Sequence, residues 1–276
     1  MGRPTLNTTD QTAPLPGDFT GEWNADTMQR MVSIARPFFK RWFRFEVRGL
    51  ETFPSGGALI VSNHSGLPFA WDAPILWVAF FEKFGYERRF YTLGHDILFR
   101  TPAAERLSRM GMLRASRDNA NKALRSGAAV MVFPGAAHDA ARPTWEQNVI
   151  DFAGHTGYVS MAIEAGVPIV PAVQIGGQET QLYLTRGTWL AKVLGLNRLV
   201  RLEQLPVSFG FPFGLSVGTG NLPLPSKIIT RVLDPIDITA QFGKSPDIAE
   251  VDQYVREVMQ SALDELAAQR RFPILG

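Results

Sequence analysis

Two residues eight positions apart, His64 and Asp72, are of the types that carry out acid–base chemistry. An apolar run that starts at Ala58 precedes the histidine, and apolar residues resume at Trp71 after a loop that contains glycine and proline. This pattern predicts a strand, a loop and a helix. If the loop folds back, the carboxylate reaches the imidazole, fixes its tautomer and stabilises the imidazolium form. The segment therefore predicts a general base, His64, oriented by Asp72.

Structural roles are the alternative for both residues. A histidine at a strand end often only packs and forms hydrogen bonds, and an aspartate near a helix start often caps the helix. The catalytic interpretation is supported by Asn63, Ser65 and Gly66, which form a polar, tight turn in an otherwise apolar segment. We expect these three residues to contact the substrate.

Composition narrows the range of functions. The chain has 276 residues, and its 28 Lys and Arg against 26 Asp and Glu do not favour nucleic acid as a partner. The absence of cysteine excludes a disulfide framework, a thiolate zinc site and a cysteine nucleophile. None of the four histidines pairs with another at i, i+4 spacing, so we expect no metal site.

Domain organisation is expected to be simple. Residues 1–25 are polar and rich in Pro, Gly and Thr, which predicts a flexible leader without the apolar core of a signal peptide. Residues 26–276 are expected to form a single domain. We find no uninterrupted apolar stretch of about 18 residues that would mark a membrane-spanning helix.

Apolar periodicity predicts strands that alternate with helices. Short Gly/Pro loops between them are typical of a mixed, mostly parallel α/β sheet flanked by helices. Ligands bind such sheets beyond the carboxyl ends of the strands, where the loops with His64, Pro134 and residues 173–177 should converge. The predicted strands are the run from residue 58 and residues 44–48, 90–93, 129–133, 167–173 and 227–233, and the predicted helices are 26–43, 71–84, 102–110, 117–125, 157–165 and 252–271.

Two segments combine apolar and basic residues in a way that suits a membrane surface. Residues 26–43 predict an amphipathic helix, interrupted at Pro37, whose rings and cations would lie at the headgroup boundary of an anionic bilayer. Residues 180–225 also mix apolar and basic side chains, as in an interfacial segment or the lid of an apolar tunnel. Core helices with a solvated basic edge are the alternative for both. The residues predicted to meet the membrane are Phe38, Phe39, Lys40, Arg41 and Trp42.

Residues 214–218 match G-x-S-x-G, the pattern of a hydrolase nucleophile elbow, with Ser216 as the nucleophile. That elbow needs a helix after the serine, and residues 219–225 contain two prolines and cannot form one. Coincidence is the favoured explanation of the motif. A serine esterase that acts on lipids is the second candidate function.

Four blocks, by their order and spacing, resemble the glycerolipid acyltransferase family, that is, lysophosphatidate and glycerol-phosphate acyltransferases and their diacylglycerol-acyltransferase-like relatives. The resemblance covers about residues 40–240 and implies a glycerol-phosphate-acyltransferase-like fold. It also implies that a lipid alcohol, deprotonated by His64 with Asp72 as orienting residue, attacks an acyl thioester directly. No acyl-enzyme and no cofactor are then needed beyond an acyl-CoA or acyl-carrier-protein co-substrate. The blocks are Asn63-His-Ser-Gly through Asp72, residues 111–119, Val132-Phe-Pro-Gly135 and residues 165–171.

Two departures from the family pattern bear on this interpretation. The commonest first block has four residues between histidine and aspartate, whereas this chain has seven. In the third block phosphate-acceptor enzymes carry Phe-Pro-Glu-Gly-Thr-Arg, but this chain reads Phe133-Pro-Gly-Ala-Ala-His-Asp139 and lacks that glutamate and arginine. Loss of the arginine favours a neutral acceptor such as a mono- or diacylglycerol. The further substrate-binding candidates are Arg114, Arg117, Pro134, Gly135 and His138, with backbone N–H groups near Gly66 or Gly135 for the oxyanion.

The expected location follows from the same properties. A chain without cysteine fits a reducing compartment, and a lipid acceptor requires a membrane surface. We therefore expect a cytoplasmic protein bound peripherally to the inner face of the membrane. A lipid-binding relative without catalysis is a third candidate, because the third block is altered.

Overall fold

The computed structural model describes residues 15–66, 70–199, 203–218, 221–270 and 272, and these residues form two sheets and the helices around them. The strands are β1 (Glu46–Arg48), β2 (Ala58–Ser62), β3 (Phe90–Gly94), β4 (Met112–Arg114), β5 (Ala129–Val132), β6 (Ile169–Ile175), β7 (Leu182–Thr185), β8 (Val207–Gly210), β9 (Gly214–Val217) and β10 (Ile229–Val232). The helices are α1 (Ala25–Trp42), α2 (Asp72–Phe84), α3 (Ala104–Arg109), α4 (Arg117–Arg125), α5 (Ala136–Ala140), α6 (Gly157–Ala165), α7 (Thr188–Val193), α8 (Leu196–Leu199), α9 (Ile238–Phe242) and α10 (Ile248–Gln269).

Seven strands form the larger sheet in the order β1-β10-β6-β2-β5-β3-β4. The five strands from β6 to β4 are parallel, because connections that contain helices return the chain across the sheet between them. Strand β10 runs antiparallel to β6, and β1 is parallel to β10. The predicted mixed, mostly parallel α/β sheet is confirmed.

Helices cover both faces of this sheet, as strands that are apolar on both faces require. On the central strand β2, Leu59 and Val61 pack into one core and Ile60 packs into the other, because successive side chains alternate between faces. Helices α1 and α2 close the core of Ile60, and α4, α6 and α10 close the other. The loop that begins at the end of β2 therefore leaves a strand that is fixed on both sides.

Helix α1 continues through Pro37, where the sequence predicted an interruption. A proline inside a helix removes one backbone hydrogen bond. Packing beyond the proline offsets this loss, because Phe39 and Phe43 are buried and their ring centroids lie 5.9 and 5.2 Å from that of Trp71. Since Trp71 directly precedes α2, the end of α1 packs against the segment that carries Asp72.

The predicted flexible leader does not extend to residue 25. Residues 15–24 pack on the domain, with the rings of Phe19 and Trp23 5.5 and 5.4 Å from the ring of Tyr91. The polar composition of the segment concealed these two anchoring side chains. Residues 1–14 lie outside the described residues.

Strands β7, β8 and β9 form a separate antiparallel sheet, in the region for which the sequence predicted an interfacial segment, a lid or core helices. Other boundaries agree within a few residues, although β6 continues to Ile175 and α10 begins at Ile248. No helix within the described ranges is both long and apolar enough to cross a membrane.

Candidate active site

The carboxyl ends of three adjacent parallel strands, β5, β2 and β6, meet at one edge of the larger sheet. His64 lies two residues beyond β2, Pro134 and Gly135 follow β5, and Gly176 and Gly177 follow β6. The loops after β2 and β6 line a common cleft, together with residues of and next to α5. The candidate site therefore forms where a parallel sheet places its ligands.

The side chains of His64 and Asp72 are in direct contact, with 2.6 Å between Nδ1 and Oδ2. The backbone N–H of Ser65 donates to the same carboxylate oxygen at 2.8 Å, and the Ser65 hydroxyl donates to the other oxygen at 2.7 Å. A carboxylate acceptor keeps the imidazole proton on Nδ1 and leaves Nε2 as the basic nitrogen. The loop thus folds back as predicted, although seven residues separate the pair.

The helix-capping alternative for Asp72 is not what the structure shows. Asp72 is the first residue of α2, and the residue before it, Trp71, makes no side-chain cap. The carboxylate instead accepts hydrogen bonds from the loop, in the favourable field of the helix N-terminus. On its other side the imidazole of His64 stacks on Phe133, with 4.2 Å between ring centroids, and this contact restricts the ring.

Asn63 and Gly66 position the loop. The side-chain amide of Asn63 donates to the carbonyl of Gln174 on β6 at 2.9 Å and accepts from its N–H at 2.7 Å. The N–H of Gly66 donates to the carbonyl of Ala140 at 3.2 Å. Both residues were predicted to contact the substrate; Asn63 does line the cleft, and these groups of both residues fix the backbone around His64.

A second carboxylate, Asp139 on α5, holds the backbone of His64, and sequence reasoning did not identify it. The N–H of His64 donates to Asp139 Oδ2 at 2.6 Å, and Arg142 Nη2 donates to Asp139 Oδ1 at 2.9 Å. Burial raises the pKa of Asp139 from 3.8 to about 6, although the guanidinium of Arg142 acts in the opposite direction. An Asp and an Arg at i, i+3 in the otherwise alanine-rich segment 136–142 were the available signal.

Asp139 and Arg142 revise the interpretation of the third block. The carboxylate and guanidinium that are missing at the family positions are supplied a few residues later, in and just after α5. Both side chains are 4% exposed, and both residues line the cleft. The site therefore contains the positively charged side chain of Arg142, and the neighbouring carboxylate of Asp139 balances its charge.

Two glycines allow close approach of the backbone. A Cβ on Gly177 would lie 1.8 Å from the hydroxyl oxygen of Ser65, and a Cβ on Gly135 would lie 2.7 Å from Cβ of Asp139. Any side chain at these positions would push apart the groups that hold Asp72 and His64. Pro134 and Gly135, which were predicted to bind the substrate, do not themselves line the cleft; they form the turn that leads into α5.

Arg114 and Arg117, predicted to bind the substrate, do not line the cleft. Arg114 ends β4, three strand positions or about 14 Å from β2, and its guanidinium donates to Asp18. Arg117, on α4, forms a 3.5 Å salt bridge with Glu164. Strand order, which the sequence did not reveal, separates the second block from His64.

His138, also predicted to bind substrate, is engaged elsewhere. Its Nε2 lies 2.8 Å from Oδ2 of Asp151, and the residue does not line the cleft. Of the five residues predicted to meet the membrane, Phe39 is buried and belongs to the core under α1. The other four, residues 38 and 40–42, are exposed.

Ser216 does not occupy a nucleophile elbow. It lies within β9, and the described residues between β9 and β10 contain no helix. Its hydroxyl oxygen is 3.0 Å from that of Ser208 and accepts from the side-chain amide of Asn221 at 3.1 Å. Neither partner is a base that could activate a serine.

The cleft at His64 is small. Its volume of about 20 Å³ has room for one or two water molecules and not for an acyl chain. In the part of the chain that the structure describes, no group of three or more His, Asp or Glu side chains could hold a metal ion. The residues that line the cleft therefore form a site for the reacting atoms and not for the lipid chains.

The raised pKa of Asp139 leads to a prediction about stability. Asp139 loses its proton at a lower pH in the unfolded chain than in the folded protein, where its carboxylate is buried. Asp139 therefore lowers the free energy of unfolding as pH rises from 4 to 7. Asp139→Asn removes that cost. We expect the free energy of unfolding of the variant, relative to wild type, to rise by roughly 2–3 kcal/mol between pH 4 and pH 7. Urea denaturation at each pH measures it.

Asp151→Asn is the matched control, with the opposite sign. Hydrogen bonds from the N–H of Ala153 and from His138 hold the pKa of Asp151 below its usual value. Its charge therefore adds stability as pH rises, so the control variant should lose stability relative to wild type over the same range. A difference between Asp139→Asn and wild type that does not change with pH would contradict the prediction.

Fold and site together define a class of protein. It is an α/β protein whose central parallel sheet presents a carboxylate-bound histidine in a polar cleft at the strand ends. A family model described as Acyltransferase matches residues 44–174, which contain all four blocks. An uncharacterized protein of Mycobacterium tuberculosis is 34% identical over 95% of this chain and 74% of its own length.

Two further similarities agree with this match. The mouse protein named DGAT1/2-independent enzyme synthesizing storage lipids is 29% identical over 67% of this chain and 54% of its own length. The crystal structure of the 1-acyl-sn-glycerophosphate acyltransferase PlsC from Thermotoga maritima has the same fold, with a TM-score of 0.55 and 18% identity over 89% of this chain and 83% of that one. The chain belongs to the acyltransferase family that this model describes. It is accordingly an acyltransferase.

Proposed function

We propose that the protein transfers a fatty acyl group from an acyl thioester directly to the hydroxyl of a glycerolipid or related lipid alcohol, with His64 as general base and Asp72 as its orienting residue. The observation that carries the proposal is the 2.6 Å contact between His64 Nδ1 and Asp72 Oδ2 in a cleft at the strand ends. Family membership supports acyl transfer as the reaction. The proposed donor is acyl-CoA or acyl-carrier protein, without a further cofactor.

The proposed chemistry takes place at one centre. Nε2 of His64 accepts the proton of the acceptor hydroxyl as its oxygen attacks the carbonyl carbon of the thioester. The tetrahedral oxyanion then collapses, the C–S bond breaks, and the leaving thiolate takes the proton from His64. General-base help contributes about 10²–10⁴ in rate. Holding the hydroxyl against the thioester contributes further through orientation.

The oxyanion requires a hydrogen-bond donor. The N–H of Gly66 already donates to the carbonyl of Ala140, so it is poorly placed for this role. The proposed donor is therefore a backbone N–H at the turn of Pro134 and Gly135, that is, the N–H of Gly135. This turn directly follows Phe133, whose ring stacks on His64.

The proposed acceptor is neutral, such as a mono- or diacylglycerol. Arg142 is the cation that lines the cleft, and its pairing with Asp139 leaves little positive charge for a phosphate. Arg114 and Arg117 are paired with acids outside the cleft. The name of the mouse relative, which refers to storage lipids, is in keeping with a neutral acceptor.

The protein is further proposed to work on the inner face of the membrane as a peripheral cytoplasmic protein. At the end of α1, Phe38 and Trp42 are 44 and 40% exposed beside the exposed Lys40 and Arg41. Aromatic and basic side chains in this combination suit the headgroup region. Phe38 also contacts Trp71, which precedes Asp72, so this surface lies close to the candidate site.

Acceptor-dependent thiol release from a long-chain acyl-CoA tests the proposal. With wild type, we expect release that requires an acceptor and is faster with mono- or diacylglycerol than with lysophosphatidate or glycerol 3-phosphate. Ser216→Ala should change the rate by less than about threefold, because the hydroxyl of Ser216 has no base beside it. The acylated product is identified by mass spectrometry.

Three results would count against this function. Release of free acid without acceptor that is lost in Ser216→Ala would establish the serine esterase. Faster transfer to the phosphorylated acceptors would overturn the acceptor class. Lipid binding without turnover of either thioester donor would leave a non-catalytic lipid-binding protein.

A further inference from the structure

The sheet of β7, β8 and β9 exposes its apolar side chains. Leu182, Phe209 and Leu215 lie opposite one another in the strand register and form one row across the three strands. They are 41, 53 and 62% exposed. A half-solvated antiparallel sheet normally places such a row against the core.

The adjacent row, on the inner face, is largely polar. It consists of Tyr183, Ser208 and Ser216, which are again in register. Tyr183 and Ser208 are buried, and the two serine hydroxyl oxygens lie 3.0 Å apart. Hydroxyls inside and apolar side chains outside reverse the pattern of a sheet that faces water.

The turn between β8 and β9 adds two aromatic rings. Phe211 and Phe213 are 69 and 73% exposed. The turn is held by buried Asn221, whose side chain accepts from the N–H of Phe213 and donates to the carbonyl of Gly214, both at 3.0 Å. The rings therefore project from a braced turn.

The same surface continues to the end of α1. Leu222 is 58% exposed and donates its N–H to the carbonyl of Phe211 at 2.8 Å. The next residue, Pro223, accepts a hydrogen bond from the indole N–H of Trp42 at 2.9 Å. The exposed apolar side chains of both segments thus lie on adjoining parts of the surface.

We propose that this surface docks on an anionic phospholipid bilayer, with the turn between β8 and β9 entering the interface. The charge beside it favours this partner, because Lys40 and Arg41 are exposed next to Trp42. The inference rests on the proposed function, since a lipid acceptor must be reached from a bilayer. We call the surface the hairpin patch; its members are Leu182, Phe209, Phe211, Phe213, Leu215 and Leu222.

Docking at the hairpin patch would place the bilayer near the reacting groups. Strand β7 begins four residues after Gln178, which lines the cleft at His64. The amide of Gln178 also donates to the carbonyl of Asp139 at 3.1 Å. A short, hydrogen-bonded segment therefore connects the patch with the site.

Vesicle binding without turnover tests the proposal. Three proteins are sedimented with vesicles of phosphatidylcholine, with and without phosphatidylglycerol: wild type, the patch variant Phe211→Ser/Phe213→Ser and the control Ile163→Ser/Ile248→Ser. The control removes two exposed apolar side chains from α6 and α10, on the other face of the larger sheet from α1. Circular dichroism confirms that the variants are folded.

We expect wild type to prefer the anionic vesicles, the patch variant to bind them at least about tenfold more weakly, and the control to bind as wild type does. Wild-type affinity in the patch variant would overturn the proposal. The proposal would also be overturned if wild type were a dimer, and if the patch substitutions dissociated this dimer without changing vesicle binding. The patch would then join two copies of the chain. Because no turnover is measured, either result is independent of the role of His64. Failure of the proposed chemistry would instead show as absent transfer to a detergent-dispersed acceptor.

Discussion

Replacing His64 by alanine is expected to lower kcat for acyl transfer at least about 100-fold, because the reaction loses the group that takes the acceptor proton. The KM for acyl-CoA should change little, since the imidazole acts on the hydroxyl and not on the donor. The measurement is acceptor-dependent thiol release by wild type and variant at equal protein concentration. The loss should be visible in the first turnover.

The alanine variant should remain folded. Asp72 keeps both hydrogen bonds from Ser65, and the backbone N–H at position 64 still has Asp139 as its acceptor. Thermal unfolding checks this. His95→Ala is the matched control, because His95 follows β3, two strands from β2, and does not line the cleft. Wild-type activity in His64→Ala would rule out the proposed mechanism.

Asp72→Asn is expected to lower kcat by about 10²-fold or more with little change in KM. Asparagine has nearly the same size, so the loop can keep its shape, but it lacks the charge that stabilises the imidazolium. If its NH₂ group faces Nδ1, the imidazole proton moves to Nε2, which can no longer accept a proton.

Ser65→Ala separates this effect from simple loosening of the loop. It removes the hydroxyl that donates to Asp72 Oδ1 but leaves the carboxylate and its contact with His64. We expect kcat to fall by less than about tenfold. Equal losses of kcat in Asp72→Asn and Ser65→Ala would mean that Asp72 only supports the loop.

Local sequence patterns predicted the regular elements well where neighbouring residues determine them. The predicted bounds of α4 and α6 are those observed, because Ser116 caps the first helix and Gly166, with a φ of 67°, ends the second. The same patterns missed the path of α1 through Pro37. There, packing against Trp71 outweighs the local preference of proline.

The outward apolar rows of β7 to β9 show a different limit. Periodicity identifies which side chains share a face, but it cannot tell which face meets the core. The alternation of Phe209 and Ser208 is therefore compatible with either side chain facing the core. Only the tertiary structure, in which Ser208 is buried and Phe209 is exposed, shows that the hydroxyls are inside.

The sequence by itself determined the α/β fold, the acyltransferase family and the pair His64 and Asp72, because these depend on local patterns and on motifs in a fixed order. Tertiary structure decided which distant groups meet them. Asp139 is 75 residues from His64 and Gln174 is 111 from Asn63, yet both contacts are short hydrogen bonds. Arg114 is removed from the cleft by strand order alone. Such contacts depend on the order of the strands in the sheet and on the way the loops close. Local periodicity in the sequence encodes neither of these.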